Sequence, residues 1–427
     1  MSAALLVGLM GLFLASGVQI AFALGLAALC YILLFLPHLS FDVIPQQMFA
    51  AADTFALTAI PFFVLVGEAM NAGGISRRLV NFARALVGRF PGGMGIVALF
   101  SSVIFASFSG SAVANAAGTG AITIPAMTRS GYPRGTAAAV ESSSSSLGAI
   151  IPPSIPMIVY GSIAGVSVGG LFVAGYVPGL LLGLGLAAVI AWTAHRRGFA
   201  LDEPAPLPEI WRSAREAVPA LMAPVIIMGG ILGGIMTPTE AGAVGALYAL
   251  LIAMFLYREI RFSDLPGIFL NTAVVTGVVM LVMTVAAVFS WILAFEQVPT
   301  RAAEFFLSGV SSQQLLMIGV VLFLIVVGCF IDTISALIIL TPVLAPMAAA
   351  AAIDPLFFGV IVSVALTLGA CTPPVGVVLF VTASIAKTTV EDVSRAMVPF
   401  LVVLFGGTMA LALLPDVVLW LPRLVGY

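Results

Sequence analysis

The sequence predicts an all-α polytopic membrane protein: an inverted-topology repeat whose halves each hold a re-entrant hairpin and a helix broken at Pro-Pro. Three observations predict it. The chain is 62% apolar and 8% charged, with a mean hydropathy of +1.22, far more apolar surface than a soluble core of 427 residues needs. The segment Leu147-Gly148-Ala149-Ile150-Ile151-Pro152-Pro153 returns as Leu368-Gly369-Ala370-Cys371-Thr372-Pro373-Pro374, each time inside a long apolar stretch. The basic residues gather on one side of the topology that the apolar stretches define.

Residues 3–36 are nearly all apolar. As one helix they would run ~50 Å, too long for a hydrocarbon core of roughly 30 Å. Two short helices broken near Ser16-Gly17 fit instead. Residues 41–52 form a weak amphipathic segment and 53–71 a span. In 75–90, Ile75, Leu79, Phe82, Leu86 and Phe90 make one face, and Arg77, Arg78, Asn81 and Arg84 the other. That is the pattern of a helix lying on the membrane. Residues 94–127 are interrupted by Ser107-Phe108-Ser109-Gly110-Ser111, with arginines on both flanks. With both flanks cytoplasmic, this stretch is a re-entrant hairpin whose Ser/Gly tip lies at mid-membrane.

Residues 133–166 then cross outward through the first Pro-Pro break, and 169–195 return to Arg196 and Arg197. Spans follow at 219–236 and 239–256, and 265–295 lead outward. A second hairpin, 312–350, enters from outside; 355–387 cross inward through the second break, and 396–421 leave again. The chain thus divides into N-terminal scaffold helices and an interfacial arm (1–93), a first core (94–195), a cytoplasmic linker (196–217), a second scaffold segment (218–311) and a second core (312–427). Arg77, Arg78, Arg84, Arg89, Arg129, Arg134, Arg196, Arg197, Arg212, Arg215, Arg258, Arg261, Lys387 and Arg395 fall inside; only Arg301 and Arg423 fall outside. This positive-inside bias orients the chain and makes the two hairpins enter from opposite faces.

Proline has no backbone donor and clashes with the preceding turn, so each Pro-Pro pair breaks its helix. The freed carbonyls are tolerated in lipid only against protein or a polar cavity, and such breaks recurring in corresponding places mark a duplicated transporter fold. Subtracting 221 carries Gly369 onto Gly148 and Pro374 onto Pro153. For the hairpins an offset of 217 carries Pro342 onto Pro125, Asp332 onto Asn115 and Gly328 onto Ser111. A dehydrated alkali cation wants a cage of such oxygens. The candidate ligands are Ser109, Ser111, Gly148, Ile150 and Pro153 in the first half, and Gly328, Asp332, Gly369, Thr372 and Pro374 in the second. Helices starting after each tip and break point positive ends at the midplane, where an organic anion would settle. Asn115, Thr119 and the run Ser142 to Ser146, with Ser143, Ser144, Ser145 and Ser146 foremost, are the candidate donors to it.

Each assignment has a plainer rival. Serine and glycine in membrane helices often serve only close packing. Asp332 is the sole carboxylate in either hairpin, and intramembrane acids are functional by default. Thr237-Pro238-Thr239-Glu240 fits a capping box with proline at the first helical position, which needs no substrate. Glu68 has the cytoplasmic interface within reach, and Glu141 either an ion pair or the serine-rich cavity. His38 and His195 sit at span ends. Cys30, Cys329 and Cys371 match no metal or disulfide spacing. A net charge of -2 with no basic patch gives no footing for nucleic acid. No basic region precedes the first apolar run, so a cleaved signal peptide is not expected. An enzyme is not expected either: an intramembrane serine hydrolase needs a base beside its nucleophile, and both histidines lie at span ends. A purely structural scaffold leaves two broken helices unexplained.

At these residues the chain resembles the large membrane subunit (M subunit, DctM-like) of tripartite ATP-independent periplasmic (TRAP) transporters. The resemblance rests on Ser109-Gly110-Ser111-Ala112 with Asn115 and Gly118, on Leu147 to Pro153, and on Met236-Thr237-Pro238-Thr239-Glu240-Ala241. Gly328 with Asp332 and Thr372-Pro373-Pro374, Ile60-Pro61 through Gly67-Glu68, and Met70-Asn71-Ala72-Gly73-Gly74 carry it further. It implies an elevator-type transporter in the bacterial inner membrane, coupling uptake of a carboxylate-class anion to two or more sodium ions. It also implies two partners: a periplasmic substrate-binding protein, and a small four-helix membrane subunit expected here as a separate polypeptide. The family's cation sites carry over to Ser109, Gly148, Ile150 and Pro153, and to Gly328, Asp332, Gly369 and Thr372. The rival within transport is a stand-alone sodium/dicarboxylate symporter of related elevator fold.

Overall fold

The computed structural model describes residues 2–36, 39–199, 204–298, 300–301 and 312–427; His38 lies outside them. All regular structure among the described residues is helical, and seven helices are long and apolar enough to cross a membrane. The N-terminal apolar stretch is two helices, α1 (Ser2–Ala15) and α2 (Ile20–Phe35). Gly17 at φ +84 makes the break between them, a backbone conformation only glycine adopts freely. Next come α3 (Val43–Ala52), α4 (Ala59–Ala72) and α5 (Ile75–Val87). α5 departs from a simple surface helix. Its Ile75, Leu79, Val80 and Ala83 are buried against α6 (Met94–Ser109) and α11 (Leu207–Leu232), while Leu86 and Phe90 stay exposed. The arm is therefore clamped between scaffold and core.

In the first half, α6 turns at Gly110 into α7 (Ala112–Arg129). α8 (Arg134–Ser146), a 3-10 turn over Leu147–Ala149 and α9 (Ile155–Ala164) form the broken helix, and α10 (Val168–Arg197) completes the half. α11 begins at Leu207, so the linker expected over 196–217 turns helical there and runs straight into the next span. α12 (Pro238–Leu251) and the long α13 (Leu265–Phe295) follow. The capping box is present: Thr237 and Glu240 satisfy each other's backbone donors. In the second half α14 (Gln313–Gly328) and α15 (Thr333–Ala350) make the hairpin, α16 (Pro355–Gly369) and α17 (Val377–Ala386) the broken helix. The final apolar stretch, expected as one span, is α18 (Val390–Leu413) and α19 (Pro415–Val425), because Pro415 cannot donate into the preceding turn.

The helix bounds correct the register of the repeat. α7 and α15 coincide at both ends under a shift of 221, the same shift that relates the two breaks. The hairpin offset is therefore 221 throughout, not 217. Asp332 corresponds to Ser111, and Pro346, not Pro342, corresponds to Pro125. The offset of 217 paired prolines one turn apart on the same helix.

The halves interlock. α7 packs on α17, and α15 on α9, so each hairpin's second arm lies against the other half's post-break helix. Around this core, α4 packs on α12 and α13, α2 and α3 on α13, and α11 on α12. In lipid such contacts depend on close fit. A Cβ on Gly245 would lie 2.6 Å from the Ile227 side chain, and one on Gly242 3.1 Å from that of Phe62.

Candidate functional site

The tip of the first hairpin sits directly on the first break. Gly110, left-handed at φ +61, accepts a hydrogen bond from Ile155 N at 3.1 Å, and a Cβ there would stand 2.9 Å from the Pro153 carbonyl oxygen. Ser111 caps α7, its hydroxyl accepting from Ala114 N. Gly148 abuts this tip: a Cβ on it would meet the Asn115 amide nitrogen at 2.7 Å and Ser111 O at 3.1 Å. Ser109 ends α6, buried, with its hydroxyl 3.4 Å from Ser111 O. The structure thus brings Ser109, Ser111, Gly148 and Pro153 together. The Ile150 carbonyl oxygen lies beside α10, 2.9 Å from where a Cβ on Gly175 would stand.

The second tip repeats the joint. Val375 N donates to Cys329 O at 3.3 Å, and Gly328 and Gly369 press backbone on backbone. Asp332 is the N-cap of α15, its Oδ1 accepting from Ile334 N and Ser335 N, both at 3.1 Å. Its side chain is exposed, as is Pro374. Thr372 turns its hydroxyl back onto Leu368 O at 2.7 Å, leaving its carbonyl beside Gly376. The Pro152-Pro153 and Pro373-Pro374 peptide bonds are both cis.

A cavity of about 420 Å³ joins both joints to the scaffold. Ser109 to Ala114 line it from the first tip, Asp332 to Ile334 from the second, and Ala149, Ile155, Ala370 and Val377 from the breaks. α4 adds Ile60, Val64, Gly67, Glu68 and Asn71; α13 adds Val275 and Val279. Among the described residues its lining has two carboxylates, Glu68 and Asp332, and no lysine, arginine or histidine. A larger cavity of about 650 Å³, walled by Gln47, Tyr160, Trp291 and Thr341 among others, touches neither tip nor break.

The expected anion donors lie elsewhere. Asn115, Thr119 and Ser142 to Ser146 are buried and none lines the cavity between the tips. Ser143, Ser145 and Ser146 donate to Val140 O, Ser142 O and Ser143 O in their own helix, the local bonding that helical serines adopt. Among the described residues, the buried hydroxyls of Ser142 and Ser144 have no hydrogen-bond partner. Glu141 makes no ion pair either; its carboxylate accepts from the hydroxyls of Ser102, Thr119 and Thr123. Glu68, Asn71 and the valines of α13 were not legible as site residues, because nothing local marks which face of a scaffold helix meets a hairpin tip.

Comparison with known proteins bears on this arrangement. Residues 7–417 match the family described as "Tripartite ATP-independent periplasmic transporter, DctM component". The chain is 39% identical over 406 residues to the 2,3-diketo-L-gulonate TRAP transporter large permease protein YiaN of Escherichia coli, covering 95% of each. It is 37% identical over 421 residues to the sialic acid TRAP transporter large permease protein SiaM of Vibrio cholerae, covering 98% of each. The fold is similar to the crystal structure of the Alcanivorax borkumensis YdaH transporter, with a TM-score of 0.67 at 15% identity over 88% of this chain and 89% of that one.

Proposed function

Because the chain belongs to the DctM component family of tripartite ATP-independent periplasmic transporters, we propose that it carries a small carboxylate-class anion inward with sodium. It is a multi-pass protein of the inner membrane, and its relatives are transporter permeases rather than enzymes. The cavity between the tips carries the sodium proposal. An anion held about 5 Å from one carboxylate, at an effective dielectric near 20, is repelled by roughly 3 kcal/mol. Glu68 and Asp332 present two carboxylates, and among the described residues no basic side chain lines the cavity to offset them. The N-termini of α7 and α15 favour the anion only in part, so cations must enter with it.

The joints supply places for those cations. Ser109, Ser111, Gly148 and Pro153 offer oxygens at one, and Gly328, Asp332, Gly369 and Thr372 at the other, the hard neutral and carboxylate donors that sodium takes. Each hairpin re-enters from its own face of the membrane. The hairpins and breaks then move as a body past α4 and α13, carrying the cavity across. As the large permease of a tripartite system, the chain works with a small membrane subunit and a periplasmic substrate-binding protein. The binding protein delivers substrate to the outer face.

Reconstitution into proteoliposomes with an inward sodium gradient, with and without the two partners, tests this. Uptake that needs sodium and the binding protein is expected. Uptake under a potassium or choline gradient alone would refute the coupling; full activity without partners would favour the stand-alone symporter.

A further inference from the structure

We propose that Glu141 is a positioning residue for the first cation site, and this rests on the sodium reading above. Its carboxylate is completely buried in the first core. Oε1 accepts from Thr119 Oγ1 at 2.5 Å and from Ser102 Oγ at 3.3 Å; Oε2 accepts from Thr123 Oγ1 at 2.6 Å. Ser102 lies on α6, Thr119 and Thr123 on α7, and Glu141 itself on α8. One side chain therefore ties both arms of the hairpin to the helix that leads into the break. A carboxylate without a cationic partner is costly to bury unless hydroxyl or amide donors surround it.

The cluster reaches the break by one further step. Thr119 Oγ1 stands 3.2 Å from Asn115 Oδ1, and Asn115 Nδ2 donates to Ser102 O at 3.0 Å. The amide so held is the group that abuts Gly148, beside Ser111 O. Glu141 thus fixes the spacing between tip and break without touching the cation.

The repeat shows that the fold itself does not require this carboxylate. Under the shift of 221, Glu141 corresponds to Val362, Thr119 to Leu340, Thr123 to Leu344 and Asn115 to Ala336. The second half closes the same helix contact with apolar side chains and brings a carboxylate to its tip directly, at Asp332. The polar cluster in the first half is an addition to an architecture that packs without it.

The test is sodium-dependent thermal stabilisation of the purified protein, titrated at constant ionic strength with choline. Glu141→Leu is expected to raise the sodium concentration for half-maximal stabilisation by about tenfold, the scale of a lost hydrogen bond to a charged group. Glu141→Gln, which keeps one acceptor and gains a donor for the threonines, is expected to stay within about threefold of wild type. Thr123→Val, close to isosteric, is expected to fall between them and guards against a Leu variant that does not fold. If Leu and Val variants lower the melting temperature equally with and without sodium, leaving the half-maximal concentration unchanged, the role is structural and the proposal is overturned. A glutamine variant as impaired as the leucine one also overturns it, because charge rather than positioning would then be acting. A wild-type protein with no sodium response overturns both this proposal and the sodium reading.

Discussion

Replacing Gly328 by alanine should separate the second tip from the second break, while the same change at Gly319 on the same helix should do nothing of the kind. A Cβ at position 328 would lie 2.8 Å from Leu366 O and 2.9 Å from the Gly369 α-carbon. Both neighbours are backbone and have no rotamer to yield. Ordinary contact begins at 3.4 Å, so the joint must open by at least about 0.6 Å. Overpacking of this kind costs about 1–3 kcal/mol. Placed on the cation-bound state, that is roughly a tenfold loss of sodium affinity or more. Gly319 has nothing within 4 Å of its Cβ position, so Gly319→Ala controls for the mutation as such. The assay is the sodium half-saturation of uptake in reconstituted vesicles, with melting temperature as the check on folding. Equal behaviour of the two variants would refute the claim that the close approach of Gly328 and Gly369 shapes a cation site.

Other outcomes follow from the same geometry. Asp332→Asn keeps an oxygen for the α15 cap but removes the charge, and Ser109→Ala removes a hydroxyl at the first tip; each should weaken sodium-dependent uptake in a folded protein. Unchanged sodium coupling in both would remove the cation assignment. Burial, outweighing a backbone hydrogen bond from Gly95, pushes the Tyr132 phenol up from 10.0 to about 12. The unfolded chain therefore loses this proton first, and stability should fall as pH rises from about 10 to 12, a loss that Tyr132→Phe should lessen when melting is followed against pH. Glu259 pairs with Arg77 at 2.8 Å and Arg78 at 3.1 Å, while Arg78 also stacks over Tyr257. Because Arg77 and Glu259 are solvent-accessible, Glu259→Gln should cost no more than about 1 kcal/mol, and the difference should vanish in high salt.

Much of the architecture was legible because it rests on chemistry that leaves marks in sequence. Pro152-Pro153 and Pro373-Pro374 cannot continue a helix, and Gly17 and Gly110 permit turns other residues resist. The capping box at Thr237 and Glu240 was readable because its partners are three residues apart. The register of the hairpins was not, since Pro342 and Pro346 differ by one helical turn and sequence alone does not rank them. The serine run is ambiguous in sequence for a physical reason: a helical serine can satisfy itself on the carbonyl one turn back, as Ser143, Ser145 and Ser146 do, and composition does not reveal which choice it makes. Glu68 and Asn71 join the site through the packing of α4 on the hairpin tip, a long-range contact with no local signature. The hydroxyl cluster around Glu141 likewise draws on three helices and appears only once they are assembled.

Equilibrium binding of radioactive sodium to the purified protein decides whether the two tip-and-break joints hold cations. One saturable site per half is predicted, with Asp332→Asn abolishing one and sparing the other. Absence of saturable binding, or full binding by Asp332→Asn, would contradict it.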